Sequence, residues 1–346
     1  MAWIFWVVII TLITSAIGRF FLNSSEVNFI SSAISLIFIS KLLGEATQHL
    51  ARYLGQKKAG LLNVTLSNLP EIIIIYAAIR ANQIELVQGG IVGSIIGNLL
   101  LVLGFSIILG CKKNGTMKFQ ASTGTYFITQ LMVVGVTLLL PSLFANRIPV
   151  GNQQIFSNLL SYVLIVVYLC YFLFFLDKER MGVVNEQAEK MDGTWSKKAS
   201  LATLIIMTAA AYWQSENLVM EVEAVSQSLN ISKAMIGFII LPVLGNIAEH
   251  VSAIMSARKG LIELSLAISV GSASQVGMIV APLAVILGTL TGNPITLNFA
   301  GLPFGLLAIS LVATYIVLRD NKWNMIEGIM LIVLYFNMTL AFFFAQ

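Results

Sequence analysis

The sequence predicts an all-α polytopic membrane protein of about 11 transmembrane helices, one N-terminal helix followed by two inverted five-helix repeats. Three observations carry this. Hydrophobic residues make up 58% and charged residues 10% of the 346, with mean hydropathy +0.89, whereas a soluble domain has about a quarter of its residues charged. Apolar runs of roughly twenty residues, the length needed to cross a bilayer, recur along the whole chain. The chain also matches itself at a fixed offset of 178 residues. Asn68 then falls on Asn246, Glu71 on Glu249, Arg80 on Arg258, Ile84 on Ile262, Glu85 on Glu263, Gly93 on Gly271 and Ser94 on Ser272. Polar residues and glycines that coincide without a gap inside apolar sequence mark an internal duplication.

Taken in order, the expected helices cover 3–22, 28–54, 58–82, 85–110, 122–141, 154–176, 198–229, 233–257, 261–288, 297–318 and 324–344. The first run lacks a basic leading region and reads as a retained membrane helix rather than a signal peptide. The divisions that follow are 1–25 for the N-terminal helix, 26–177 for the first repeat, 178–197 for a cytoplasmic linker and 198–346 for the second repeat. The linker, the longest polar connection, reads as solvated chain; its Glu186, Glu189 and Asp192 are the alternative, a regulatory ion site.

Placing the N-terminus in the cytoplasm puts fifteen of the 20 Lys and Arg in cytoplasmic connections and four outside, with Lys41 inside a helix. That positive-inside bias supports an odd helix count and an external C-terminus, and suits a plasma-membrane protein. It also accounts for the net charge of +4 without nucleic acid, because the basic residues form no continuous tract. Five helices separate Glu71 from Glu249, so the two copies cross in opposite senses.

The chemistry concentrates in the repeated stretch. Glu71 and Glu249 each stand near the middle of a spanning segment, where a carboxylate is costly and is a functional-site hypothesis by default. Pro70 and Pro242 stand beside or shortly before them, freeing the carbonyls of Leu66 and Phe238 and favouring a break or kink. Asn68, Asn246, Ser94, Ser272, Asn98 and Gln275 add neutral oxygens. Two carboxylates with hydroxyl, amide and carbonyl oxygens suit a hard cation such as Ca²⁺, which takes about six to eight oxygen ligands; nothing soft is offered to zinc or copper. His250 points to another helix face, Glu45 and His49 form a polar face at a helix end, and Glu85 and Glu263 sit near helix N-termini as structural acids. Cys111 and Cys170 read as unpaired thiols.

With these residues in view, Gly60 to Glu71, followed by Gly93-Ser94-Ile95-Ile96-Gly97-Asn98, resembles the first repeat of calcium/proton exchangers, the CAX branch of the cation/calcium exchanger superfamily. Leu241 to His250 with Gly271-Ser272-Ala273-Ser274-Gln275 is similar to the second. The resemblance implies an antiporter in which Glu71 and Glu249 bind Ca²⁺ and protons alternately, with Ca²⁺ as transported substrate and H⁺ as counter-ion. Ser67-Asn68-Leu69-Pro70-Glu71 departs from the usual Gly-Asn-Ala-Thr/Val-Glu towards the Ser-Leu-Pro-Glu of sodium/calcium exchangers, and Gln48 stands where many relatives carry glutamate. A sodium-coupled exchanger is therefore the alternative. A cation channel needs a ring of acids that one chain does not supply, and no His-Glu-x-x-His or paired nucleophile supports an intramembrane hydrolase. The expected partners are inorganic cations and the lipid bilayer, with homo-oligomers left open and no nucleic acid.

Overall fold

A computed structural model of the chain describes residues 2–22, 24–54, 66–145, 147–175, 195–299 and 301–345. We number its helices α1 (Ala2–Ile17, continued by a wider π turn Gly18–Leu22), α2 (Ser25–Ala51), α3 (Leu69–Arg80), α4 (Ile84–Asn114), α5 (Ala121–Leu143), α6 (Val150–Phe175), α7 (Lys197–Leu229), α8 (Lys233–Arg258), α9 (Ile262–Thr291), α10 (Leu302–Leu318) and α11 (Met325–Phe344). These fall on the eleven expected segments, with α2 beginning three residues and α6 four residues earlier than expected and α10 five residues later; residues 58–65 of the expected third helix lie outside the described residues. Eight are long and apolar enough to cross a membrane. Of the rest, α10 is apolar but shorter, α7 is long and more polar, and α3 is described only from its break onward.

Local sequence explains where the helices start. Ser24, Ser196 and Ser232 accept hydrogen bonds from the amides of Val27, Ala199 and Met235, and Asn324 with Glu327 forms a reciprocal capping box; each cap satisfies amides that the first turn leaves without partners. A two-residue antiparallel ladder between Met117–Lys118 and Lys322–Trp323 ties the α4–α5 and α10–α11 connections together. This small strand pair is the one departure from an all-helical reading among the described residues.

The duplication is visible in backbone detail. The α3–α4 corner turns through Asn82 at φ 55° and the α8–α9 corner through Gly260 at φ 83°, positions 178 apart. The residues that follow, Gln83 (φ −91°, ψ 64°) and Leu261 (φ −87°, ψ 68°), have almost the same conformation. Each next helix then widens into a π turn at the matched place, Gly97–Val102 in α4 and Val276–Val280 in α9. Such turns are rare and cluster at functional sites.

Among the spanning helices α4 and α9 are the most enclosed, whereas α1, α6 and α11 leave most of their surface outward, towards lipid. The closest approach is α4 against α8. A Cβ at Gly89 would lie 2.1 Å from the Ala234 carbonyl oxygen, and one at Gly93 2.1 Å from that of Phe238. The carbonyl that Pro242 deprives of its helical partner therefore faces the bare backbone of α4. Small residues that let two backbones touch are the usual currency of helix packing in a bilayer.

Candidate functional site

At the centre of the bundle α3, α4, α8 and α9 converge. Glu71, 1% exposed, stands in the first turn of α3, two residues after the helix begins. Just upstream of the helix Ser67 and Asn68 form a turn, with Asn68 at φ −91°, ψ 9°. Pro70 sits in the opening turn, where its missing N–H costs nothing. The expected break is thus present in α3. It is absent from α8, where Pro242 lies inside a helix that runs unbroken from Lys233 to Arg258. The Phe238 carbonyl that Pro242 frees there faces the bare backbone of Gly93 on α4.

The two carboxylates are held in the same way. Ser94 of α4 donates to Glu71 Oε1, and Ser272 of α9 donates to Glu249 Oε2 at 3.0 Å. In both pairs the residues are 23 apart. The copies also reach across to each other. Asn246 Nδ2 of α8 donates to Glu71 Oε2 at 3.3 Å and to Ser94 Oγ at 3.4 Å. Asn68 Nδ2 of α3 donates to Gln275 Oε1 of α9 at 2.7 Å, as does the Ser67 hydroxyl at 3.2 Å. Glu71 and Glu249 lie within electrostatic reach of one another. At the contact between α3 and α8, a Cβ at Gly245 would come 3.1 Å from Glu71 Cβ, so a side chain there would press on the backbone that carries Glu71.

The two asparagines use their N–H₂ groups on neighbours and leave Oδ1 of Asn68 and Oδ1 of Asn246, both buried, without a partner. A buried carbonyl oxygen that accepts nothing carries an unrecovered desolvation cost, and two of them at equivalent places beside two carboxylates form a set of oxygen donors. That fits a hard cation better than a packing role. Seven of the eight residues expected at the site take part in these bonds, in three groups: Glu71 with Ser94 and Asn246, Glu249 with Ser272, and Asn68 with Gln275. Asn98 is buried in the π turn of α4, but its N–H₂ has no partner, and no hydrogen bond among the described residues links it to the other seven.

The site is not equally enclosed on all sides. Glu71, Asn68, Asn246, Ser94 and Ser272 are buried, whereas Glu249, Ser67 and Gln275 are partly exposed. Of the remaining candidates, Glu85 is exposed and Glu263 accepts the Gln120 amide at 3.1 Å, a structural tie. His49 is buried and stacks on Trp195 with ring centroids 5.0 Å apart, so it forms no open polar face with Glu45. His250 is buried with Nε2 unpartnered. Glu186, Glu189 and Asp192 lie outside the described residues. Sequence reasoning did not find Ser40, whose hydroxyl donates to the Leu244 carbonyl of α8 at 2.8 Å. Nothing in α2 distinguished it from the serines around it.

Known proteins resemble the chain along most of its length. A family profile described as sodium/calcium exchanger protein matches residues 24–176 and 199–344. The chain is 33% identical over 334 residues to a Ca(2+)/H(+) antiporter of Aphanothece halophytica, covering 91% of this chain and 90% of that protein. It is 30% identical over 337 residues to a vacuolar calcium ion transporter of Schizosaccharomyces pombe, covering 94% and 81%. Its structure is similar to the crystal structure of the Ca2+/H+ antiporter protein YfkE, with TM-score 0.85, 27% identity and coverage of 99% of this chain and 100% of that one.

Proposed function

The chain belongs to the sodium/calcium exchanger protein family, and from that premise we propose that it is a secondary antiporter exchanging Ca²⁺ for H⁺ across its membrane, with Glu71 and Glu249 taking calcium or protons in turn. The observation that carries this reading is the pair of serine-held carboxylates flanked by two unpartnered asparagine oxygens. The relatives named as Ca²⁺/H⁺ antiporters support the choice of ions.

The mechanism follows from charge. Two ionised carboxylates with nothing between them place about two negative charges in a medium of low dielectric, which is unfavourable. One Ca²⁺ neutralises the pair, and so do two protons. Ca²⁺ would draw on both carboxylates, Asn68 Oδ1, Asn246 Oδ1 and the oxygens of Ser94, Ser272 and Gln275, and Asn98 completes the proposed set from its place on α4. In the protonated form each carboxyl keeps a hydroxyl neighbour, so the site stays hydrogen-bonded. Rocking of one set of helices against the other around a fixed site then carries either load.

The partly exposed Ser67 precedes Glu71, and the partly exposed Glu249 follows Asn246 on α8, each towards the end of its segment that the expected positive-inside topology assigns to the cytoplasm. This supports a state open inward, in a plasma-membrane protein with its N-terminus inside and C-terminus outside. The broken α3 and its Ser67-Asn68-Leu69-Pro70-Glu71 stretch favour sodium as the alternative counter-ion. Purified protein in sealed vesicles, given a proton gradient or a sodium gradient separately, decides the matter. Calcium accumulation is expected with the proton gradient; accumulation driven by sodium alone would overturn the assignment.

A further inference from the structure

Two asparagines outside the ion site each make a bond that joins the two copies of the repeat. Asn293 Nδ2, two residues past the end of α9, donates to the carbonyl of Ile79 in the last turn of α3 at 2.9 Å. Asn114 Nδ2, at the end of α4, donates to the carbonyls of Ala257 and Arg258 in the last turn of α8, both at 3.4 Å, and to that of Gly110 in its own helix at 3.0 Å. Ile79 and Ala257 are 178 residues apart, so the two acceptors are the same carbonyl in the two copies. Each also accepts the corner amide three residues on, from Asn82 and from Gly260, at 2.9 Å. The asparagines themselves stand one residue out of that register, and the fixed offset passes over them.

The last carbonyls of a helix lack helical partners, and an asparagine on one of them is ordinary capping. What these two add is direction. α3 belongs to the first copy and α9 to the second, while α8 belongs to the second and α4 to the first, so both bonds run between copies. Beyond its π turn α9 packs along α3, and beyond its π turn α4 packs along α8. Each donor also stands on fixed chain. In the α9–α10 connection Gln88 of α4 donates to the Thr296 and Asn298 carbonyls at 3.3 and 3.4 Å, and the hydroxyls of Ser157 and Ser142 accept the amides of Leu297 at 3.1 Å and Phe299 at 2.7 Å. The α4–α5 connection is held by its ladder and by the Phe119 amide, which donates to the Asn321 carbonyl at 3.1 Å.

Ile79 lies eight residues beyond Glu71, and Ala257 eight beyond Glu249, about 12 Å along a helix. At the site the serine bonds to Glu71 and Glu249 each stay within one copy. Calcium needs more, because oxygens from both copies must stand about 2.3–2.6 Å from one ion. The acid helix of one copy therefore has to keep its place against the ligand helix of the other. A proton needs only one carboxylate and its own serine. We propose that Asn114 and Asn293 are a two-fold-related pair of positioning residues that hold each acid helix against the long helix of the opposite copy, setting the affinity of the site for calcium and not for protons. The proposal rests on the exchange reading of Glu71 and Glu249 and deepens it.

The test is calcium titration of the whole chain in detergent over a pH series. Asn293→Ala and Asn114→Ala remove the donors; Asn293→Gln and Asn114→Gln keep an amide at longer reach. Both alanine variants should raise the calcium Kd by roughly threefold to tenfold, the worth of one hydrogen bond, with Asn293→Ala the larger because its bond is the shorter. The plot of log Kd against pH should move up without moving sideways, and glutamine should restore part of the loss. A merely structural role lowers Tm and leaves the Kd of the folded protein unchanged, so an unchanged Kd in both alanine variants overturns the positioning role. A curve displaced along the pH axis overturns it too, since the bonds would then act on proton binding. A wild type that binds no calcium is a separate outcome, which overturns the exchange reading and the positioning role with it.

Discussion

The chemistry at Glu71 depends on how its two oxygens are engaged: Ser94 donates to one and Asn246 to the other, so the group is held by both halves of the chain at once. Glu249 has Ser272 alone and is the more accessible of the two. Replacing either acid by glutamine keeps the volume and removes one charge from the pair. Loss of one partner from a buried ionic site costs about 3 kcal/mol or more, equivalent to about a hundredfold in affinity. We therefore expect Glu71→Gln and Glu249→Gln each to abolish proton-driven calcium flux while leaving the protein folded by size-exclusion profile. Near-normal exchange in both would sink the coupling role of these acids. Asn246 should matter more than Asn98, because it orients Glu71 as well as presenting Oδ1; Asn246→Ala is expected to weaken calcium binding about tenfold, and Asn98→Ala less. The sign of the pH effect follows from competition. Protons and Ca²⁺ claim the same oxygens, so calcium affinity should fall as pH falls, with each proton displaced adding one to the slope of log Kd against pH. Calcium titrations over a pH series in detergent would read that slope, and a flat line would exclude shared sites.

Among the elements, α4 and α8 form the tightest pair because Gly89 and Gly93 bring backbone onto backbone at Ala234 and Phe238. A methyl group at either position meets a carbonyl oxygen that cannot move aside as a side chain would. Gly93→Ala should lower stability by about 1–3 kcal/mol or more, seen as a reduced Tm in detergent, whereas Gly97→Ala meets nothing within 4 Å and should be silent. Equal effects of the two would mean that the crossing is looser than described. Much of this level was legible in the residues: Glu71, Glu249 and their serines sit at one offset, and the apolar runs together with that offset mark the eleven segments. The π turns of α4 and α9 were not legible, since a one-residue widening of a helix leaves no periodic trace in an apolar run. Pro242 does not interrupt α8, and the bare backbone of Gly93, 149 residues earlier in the chain, lies against the carbonyl it frees, a juxtaposition that has no signature in the local sequence. The ring contact of Tyr76 on α3 with Tyr212 on α7 joins helices from different halves and has no signature in either.

At the scale of the whole molecule the bonds sort the helices into two bodies. Ser15 of α1 bonds Asn28 and Ser32 of α2, Asn217 of α7 donates to Ser15, Arg19 donates to Asn217, and Asn28 donates to Glu221 of α7. Polar groups buried at membrane depth hold their partners firmly because water cannot replace them, so α1, α2 and α7 should move together. The site helices α3, α4, α8 and α9 are tied by Asn246, Asn68, Gln275 and the α4–α8 crossing. Between the bodies the described bonds are fewer, among them Ser40 to Leu244 and the Tyr76–Tyr212 contact. A sparsely bonded seam between two well-bonded bodies is where rocking costs least. If only a neutralised centre can pass through the enclosed midpoint of that motion, Ca²⁺-loaded and doubly protonated forms cross while the empty dianion does not. The expected consequence is sharp in vesicles preloaded with labelled calcium. With unlabelled calcium outside and no pH gradient, label should exchange readily, because the loaded form crosses in both directions. With calcium-free buffer outside and alkaline pH on both sides, efflux should slow by at least about tenfold, because the unloaded carrier has no neutral form in which to return. Equal rates under the two conditions would show that the empty site crosses freely, and coupling would then have to come from something other than the charge on Glu71 and Glu249.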